Sequence, residues 1–186
     1  MAKLEIVTWP AKVLETKAEE VSVFDEAFRQ FVSDMHETMD DANGIGLAAN
    51  QVGVLKRVLT IHIPWTENKY SEQEEVKEWW HDERFTIVNP KIIKKQGKIS
   101  YQEGCLSFPE IFDFVDRAAE VWVESYNEQG EKREIHATGL FSICLQHEID
   151  HLDGIVFINR MSRLKNTMIR KKIARRGRLE KSDVTQ

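Results

Sequence analysis

The sequence predicts an α+β domain: small mixed or antiparallel β-sheets around a central helix, with one helix before the sheets and a basic helix after them. Three observations predict it. Apolar residues keep a helical period over Phe28, Phe31, Val32, Met35 and Met39, and a second periodic run joins Leu140, Ile143, Cys144, His147 and His151. Between the two lie short β-branched and aromatic stretches punctuated by Gly, Pro and Asn, the pattern of strands and turns. From Ser162 onward Lys and Arg crowd a segment with a narrow apolar edge. At 186 residues the chain is expected to form a single domain spanning 1–186.

In chain order, residues 4–24 read as an extended segment, since Pro10 disfavours helix at Trp9. Asp25 is placed to cap the first helix. His36, beside its apolar stripe, reads as a structural or exposed histidine rather than a ligand. The small-residue run Asn43 to Gly53 lets the backbone come close to a neighbour. It follows a helix and leads into a strand, so it is not a dinucleotide fingerprint, and it lacks the Lys-Ser/Thr of a phosphate loop. A tight turn packed in the core is the plain alternative.

Arg57 to Ile63 reads as a strand closed by Pro64. Residues 65–84 form a polar excursion with seven acids, three bases and four aromatic residues, Trp65, Tyr70, Trp79 and Trp80. An excursion of that length is usually functional, locally folded or disordered, and its aromatics favour packing on the body. Further strands are expected at Phe85–Val88, Lys91–Lys95, Val121–Tyr126 and Lys132–Ala137, the last two joined by a turn at Asn127–Gly130.

Composition narrows the class. Hydrophobic content of 41% and charged content of 31% are ordinary for a soluble enzyme. Two cysteines, the lack of a charged-then-apolar leader and the lack of a long apolar run predict a reduced, non-membrane protein of the cytoplasm. The net charge of −5 hides an asymmetry, because residues 159–186 hold ten Lys/Arg against two Asp/Glu. An acidic body thus carries a basic tail.

The chemistry is concentrated at Gln146-His147-Glu148-Ile149-Asp150-His151. On a helix His147 and His151 stand one above the other, with Glu148 about 100° away. That is the arrangement of two metal ligands and a general base; a half-buried helix with two satisfied histidines is the bland alternative. The usual protease ligands downstream are missing, since Phe157 occupies the metzincin position and residues 152–179 contain no Glu. A third ligand is therefore expected upstream. Cys105, in Glu103-Gly104-Cys105-Leu106-Ser107-Phe108-Pro109, is the best candidate, because a thiolate is a strong ligand for zinc or ferrous iron. Cys144 competes, but on the helix it fits better as a small apolar filler.

These motifs resemble the peptide deformylase family. G-x-G-x-A-A-x-Q stands as Gly44 to Gln51, E-G-C-L-S as Glu103 to Ser107 and Q-H-E-x-D-H as Gln146 to His151, in family order. The excursion at 65–84 is longer than the family's short connection, so the resemblance does not cover its role. The resemblance implies hydrolysis of the N-formyl group from formylmethionine of nascent polypeptides, with release of formate. It implies that Cys105, His147 and His151 hold the metal and that Glu148 acts as general base, then general acid. By the same resemblance the Gln51 amide and the Leu106 backbone N–H hold the oxyanion, and Gly46 binds peptide backbone. Ile45, Leu140, Ile143 and Cys144 are implied as the methionine pocket, and Glu103 as the partner of Arg117, bracing the Cys105 loop.

The physiological metal so implied is Fe(2+), with Zn(2+), Ni(2+) or Co(2+) able to occupy the same ligands. The basic helix expected at 162–181 resembles the part of the family that docks at the ribosome; neither a membrane nor sequence-specific nucleic acid is an expected partner. A bacterial cytoplasm follows as the expected location. Two other readings stay open, a metal-stabilised binding module and a zinc endopeptidase. Glu148 argues against the first and the missing downstream ligand against the second.

Overall fold

In the computed structural model residues 3–64 and 82–183 are described, with side chains through residue 175. Helix α1 (Glu26–Asp41) begins where Asp25 caps it, the carboxylate accepting from Phe28 N at 2.8 Å. Its apolar stripe, Phe28, Val32, Met35 and Met39, is buried. We expect Asp25→Ala to lower stability by about 1 kcal/mol, read as a fall in the urea midpoint without a change of slope. Before α1 the chain is not extended throughout, as a short 3-10 helix occupies Lys12–Glu15.

Strands β1 (Gly46–Ala48), β2 (Val58–His62), β3 (Arg84–Gln96), β6 (Glu120–Tyr126) and β7 (Lys132–Thr138) make one antiparallel sheet in the order β1-β2-β3-β6-β7. The two strands expected at 85–88 and 91–95 are one strand, interrupted by a register shift between Val88 and Lys91. Pro90 sits in that shift and has no N–H to give a ladder. Arg84, expected in the excursion, already pairs with His62. Residues 65–81, with the four aromatics of the excursion, lie outside the described residues.

Alternation in β2 explains how the sheet is covered on both sides. Leu59 and Ile61 join Ile87, Val121 and Val123 in a core with Phe141, Leu145, Ile149 and Leu152 of α2 (Gly139–Leu152). Val58 and Val88 join the α1 stripe on the other side, where Thr60 donates to Met39 Sδ. His36 lies on this side too, its Nε2 3.0 Å from Thr86 Oγ1.

A second ladder, β4 (Ile99–Cys105) with β5 (Phe108–Arg117), was not expected from the sequence. Its inner face packs Phe108, Ile111 and Val115 against Leu14, Val156, Phe157 and Ile158. Helix α3 (Arg163–Asp183) closes this third core with Ile169 and Ile173. Lys165 and Arg170 fasten α3 to Asp113 and Glu15 at 2.7 and 2.6 Å.

Helix α2 packs against the five-stranded sheet and is covered on all sides. The sequence suggests a one-sided stripe, but every residue from Phe141 to Leu152 is buried. Gln146 is satisfied without solvent: it accepts from Ala118 N and donates to Ala118 O and Ser142 O.

Candidate active site

Helix α2 and the end of β4 bring three donors together. Cys105 Sγ and one ring nitrogen each of His147 and His151 all lie within 4.8 Å of one another. Cys105 Sγ is 3.2 Å from His151 Nε2. One thiolate and two imidazoles, nearly enclosed, fit a divalent transition metal with a position left for a further ligand. Cys144 is not in this group: its thiol lies 3.5 Å from Ile45 O, and burial raises its pKa well above the ordinary thiol value.

The imidazoles are set by their surroundings. His147 Nδ1 is 2.8 Å from Glu103 Oε2, and beside a carboxylate that nitrogen donates, leaving Nε2 free for a metal. Burial alone would raise the pKa of Glu103, but hydrogen bonds from Arg117 and His147 outweigh it and hold the carboxyl at about 2. Burial, with the charges of His147 and Arg117, keeps the pKa of His151 well below the ordinary value, so its lone pair is available.

Glu103 belongs to a longer buried chain of charges. Arg117 Nε and Nη2 bind both its oxygens at 2.7 and 2.9 Å, and Nη1 binds Asp150 Oδ2. Asp150 is closed from the other side by Arg160, whose Nε lies 2.9 Å from Oδ2. Asp150 and Arg160 carry no role in the sequence reading. The available signal is the position of Asp150 three residues past His147 on a buried helix, where an acid needs cations. Phe157, in place of a downstream ligand, packs its ring 5.9 Å from that of His147 and walls off this side.

Glu148 is 4% exposed, and its Oε2 has no hydrogen-bond partner. Burial pushes its pKa up to about 7. Gly46 makes room for it: a Cβ there would lie 2.5 Å from Glu148 Oε1 and 2.7 Å from Cys144 Sγ. Gln51 Oε1 accepts from Ala48 N at 2.8 Å, which fixes the amide and turns Nε2 toward Cys105 Sγ and Ser107 Oγ at 3.6 and 3.3 Å.

A cavity of about 560 Å³ opens over these groups. Gln51, Glu103, Cys105, Leu106, His147 and Glu148 line its polar end. Ile45, Gly46, Leu140, Ile143 and Cys144 line its apolar side. His151 lies behind, 1% exposed. Tyr101, Pro109, Glu110 and Phe112 also line the cavity and were not singled out by sequence, because the β4–β5 ladder that carries them was not foreseen.

With this geometry in view, similarity to known proteins is specific. The family model described as polypeptide deformylase matches residues 3–167. A peptide deformylase of Neisseria gonorrhoeae is 45% identical over 176 residues, covering 95% of this chain and 97% of the relative. That of Chromobacterium violaceum is 43% identical over 176 residues, with the same coverage of 95% and 97%. Among solved structures, peptide deformylase from Ehrlichia chaffeensis in complex with actinonin superposes with a TM-score of 0.83 at 40% identity, covering 95% of this chain and 98% of that one. The Legionella pneumophila enzyme gives 0.81 at 38%, covering 96% and 98%. Matches of this length and identity, reaching across the cysteine strand, the histidine helix and the glycine-rich turn alike, show that the chain belongs to the peptide deformylase family.

Proposed function

We propose that this chain hydrolyses the N-formyl group from the terminal formylmethionine of nascent polypeptides, releasing formate. The observation that carries the reading is the donor cluster Cys105, His147 and His151 beside the unpartnered Glu148 oxygen, at the polar end of a largely apolar cavity. A divalent metal held by the cluster would supply Lewis acidity, activating water at neutral pH and polarising the formyl carbonyl.

The chain's own residues do the rest. Glu148 takes a proton from the attacking water and delivers it to the departing amine as the C–N bond breaks. Gln51 Nε2, fixed by the Ala48 contact, and the Leu106 backbone N–H donate to the developing oxyanion, at about 3 kcal/mol per donor. Ile45, Leu140, Ile143 and Cys144 receive the methionine side chain, whose burial is worth about 1.5–3 kcal/mol. Gly46 gives peptide backbone a close approach, and Glu103 holds His147.

Formate release from formyl-Met-Ala-Ser tests this together with metal content. Wild type is expected to release formate, while Cys105→Ala loses both metal and activity; a metal-free variant with full turnover would refute the assignment. Family membership makes Fe(2+) the proposed physiological metal, and the mixed thiolate and imidazole set would take zinc, nickel or cobalt as well. Activity is expected to decay in air with loss of iron, and full activity with zinc as sole metal would overturn the iron assignment.

Helix α3 is proposed to dock the chain at the ribosome, which places its work in a bacterial cytoplasm. Among the described residues no helix is long and apolar enough to cross a membrane. Ile169 and Ile173 face the body, while Lys171, Lys172 and Arg175 are exposed. Reversing these three charges is expected to abolish salt-sensitive co-sedimentation with ribosomes, and unchanged binding would remove the proposal.

A further inference from the structure

The two groups assigned to the oxyanion come from segments far apart in the chain. Gln51 sits on a 3-10 helix, Ala49–Val52, and Leu106 in the turn between β4 and β5. The segments meet through side chains, where Gln51 Nε2 points at Cys105 Sγ and Ser107 Oγ. Their backbones are joined by a third segment. Val7 N donates to Gln51 O at 2.7 Å, and Trp9 N donates to Ser107 O at 3.0 Å. The N-terminal stretch therefore spans from one to the other, with Thr8 between its two N–H groups.

That stretch is itself fastened. Val7 and Trp9 pack on the third core, and the Trp9 ring stacks on Phe108 with centroids 6.1 Å apart and planes 20° from parallel. The indole Nε1 donates to Glu15 Oε2 at 3.4 Å, Arg170 of α3 binds Glu15 Oε1, and the Arg170 guanidinium lies over the Trp9 ring, 5.0 Å from its centre. Phe108 follows Ser107, so the stack holds the residue next to the carbonyl that Trp9 binds. Neither Val7 nor Trp9 lines the cavity. Yet their N–H groups end on the residues that carry or adjoin an oxyanion donor.

We propose that Val7 and Trp9 are positioning residues: their main chain is a brace that fixes the separation of the Gln51 amide and the Leu106 N–H, and so shapes the oxyanion site without touching substrate. The proposal rests on the deformylase reading above. Donors stabilise an oxyanion only at the distance the transition state requires, and a displacement of about 1 Å can cost on the order of 10²-fold in rate. Ground-state binding draws little on that separation, so loosening the brace falls on kcat and spares KM.

The test measures kcat and KM for formyl-Met-Ala-Ser, metal content and the urea midpoint in the metal-loaded enzyme. Val7→Pro has no N–H for Gln51 O, whereas Val7→Ala keeps it. Val7→Pro is expected to lose about tenfold or more in kcat, with KM within about twofold and metal retained, and Val7→Ala to stay near wild type. In a Gln51→Ala background Val7→Pro should cost at most about twofold more, because the group it positions is gone. On the other side Trp9→Ala should lower kcat in the same way, and Trp9→Phe, which keeps a ring on Phe108, should restore it; this pair decides the matter where Val7→Pro does not fold. A lowered urea midpoint with kcat unchanged, or an equal loss of kcat with and without Gln51, marks a merely structural segment and overturns the brace while deformylation stands. Absence of formate release by wild type refutes the deformylase reading and the brace with it.

Discussion

Replacing Glu148 by Gln is expected to lower kcat/KM for formyl-Met-Ala-Ser by about 10²–10⁴-fold, the range of a positioned general acid–base group, with metal content unchanged. The substitution keeps the side chain's size and one oxygen, so it removes proton transfer and little else. The case rests on placement. Oε2 of Glu148 is buried without a partner, Oε1 lies in the space left by Gly46, and the donor cluster comes from His147, His151 and Cys105. A purely structural carboxylate would be satisfied by neighbouring donors, as Glu103 is. Metal-loaded Glu148→Gln with wild-type kcat/KM would show that the proton is handled by another group. Loss of the metal along with activity would instead make Glu148 part of the ligand shell.

What the sequence could reveal depended on whether burial there follows hydrophobicity. Helix α1 was legible because its buried positions are apolar at a helical period and Asp25 marks its start. The β4–β5 ladder was not, because its inward positions include Glu103 and Arg117, both buried and charged, while Phe112 and Phe114 point out. An alternation test searches for apolar residues on the inner face and fails where ion pairing replaces it. Helix α2 shows the same limit: its apolar and histidine positions keep a helical period, but nothing in that period reports that Gln146, Glu148 and Asp150 are buried as well. Cys105 could be singled out as a candidate ligand, since the helix supplies two donors and the usual protease positions downstream supply none; its place in the donor set was implied by the family resemblance. The orientation of the Gln51 amide was out of reach, as it depends on Ala48 N being free of the sheet to bind Oε1.

Arg117→Met is expected to destabilise the chain by about 3–5 kcal/mol, the cost of leaving buried charge unpaired. Arg117 binds Glu103 through two nitrogens and Asp150 through a third, with its side chain 4% exposed. Asp150 keeps Arg160, but Glu103 keeps only His147. The uncompensated carboxylate is then expected to shift away from His147 Nδ1, weakening metal affinity by about 10–100-fold, as loss of a group supporting a ligand commonly does. Pairing the change with Glu103→Gln separates the causes, because the amide removes the stranded charge while retaining an oxygen for His147. If charge stranding dominates, the double variant is more stable in urea than the sum of the single effects requires, by about 1–3 kcal/mol for groups in direct contact. Additive losses would mean that Arg117 acts through packing alone, and that the buried chain from Arg160 to His147 does not hold the ligand in place.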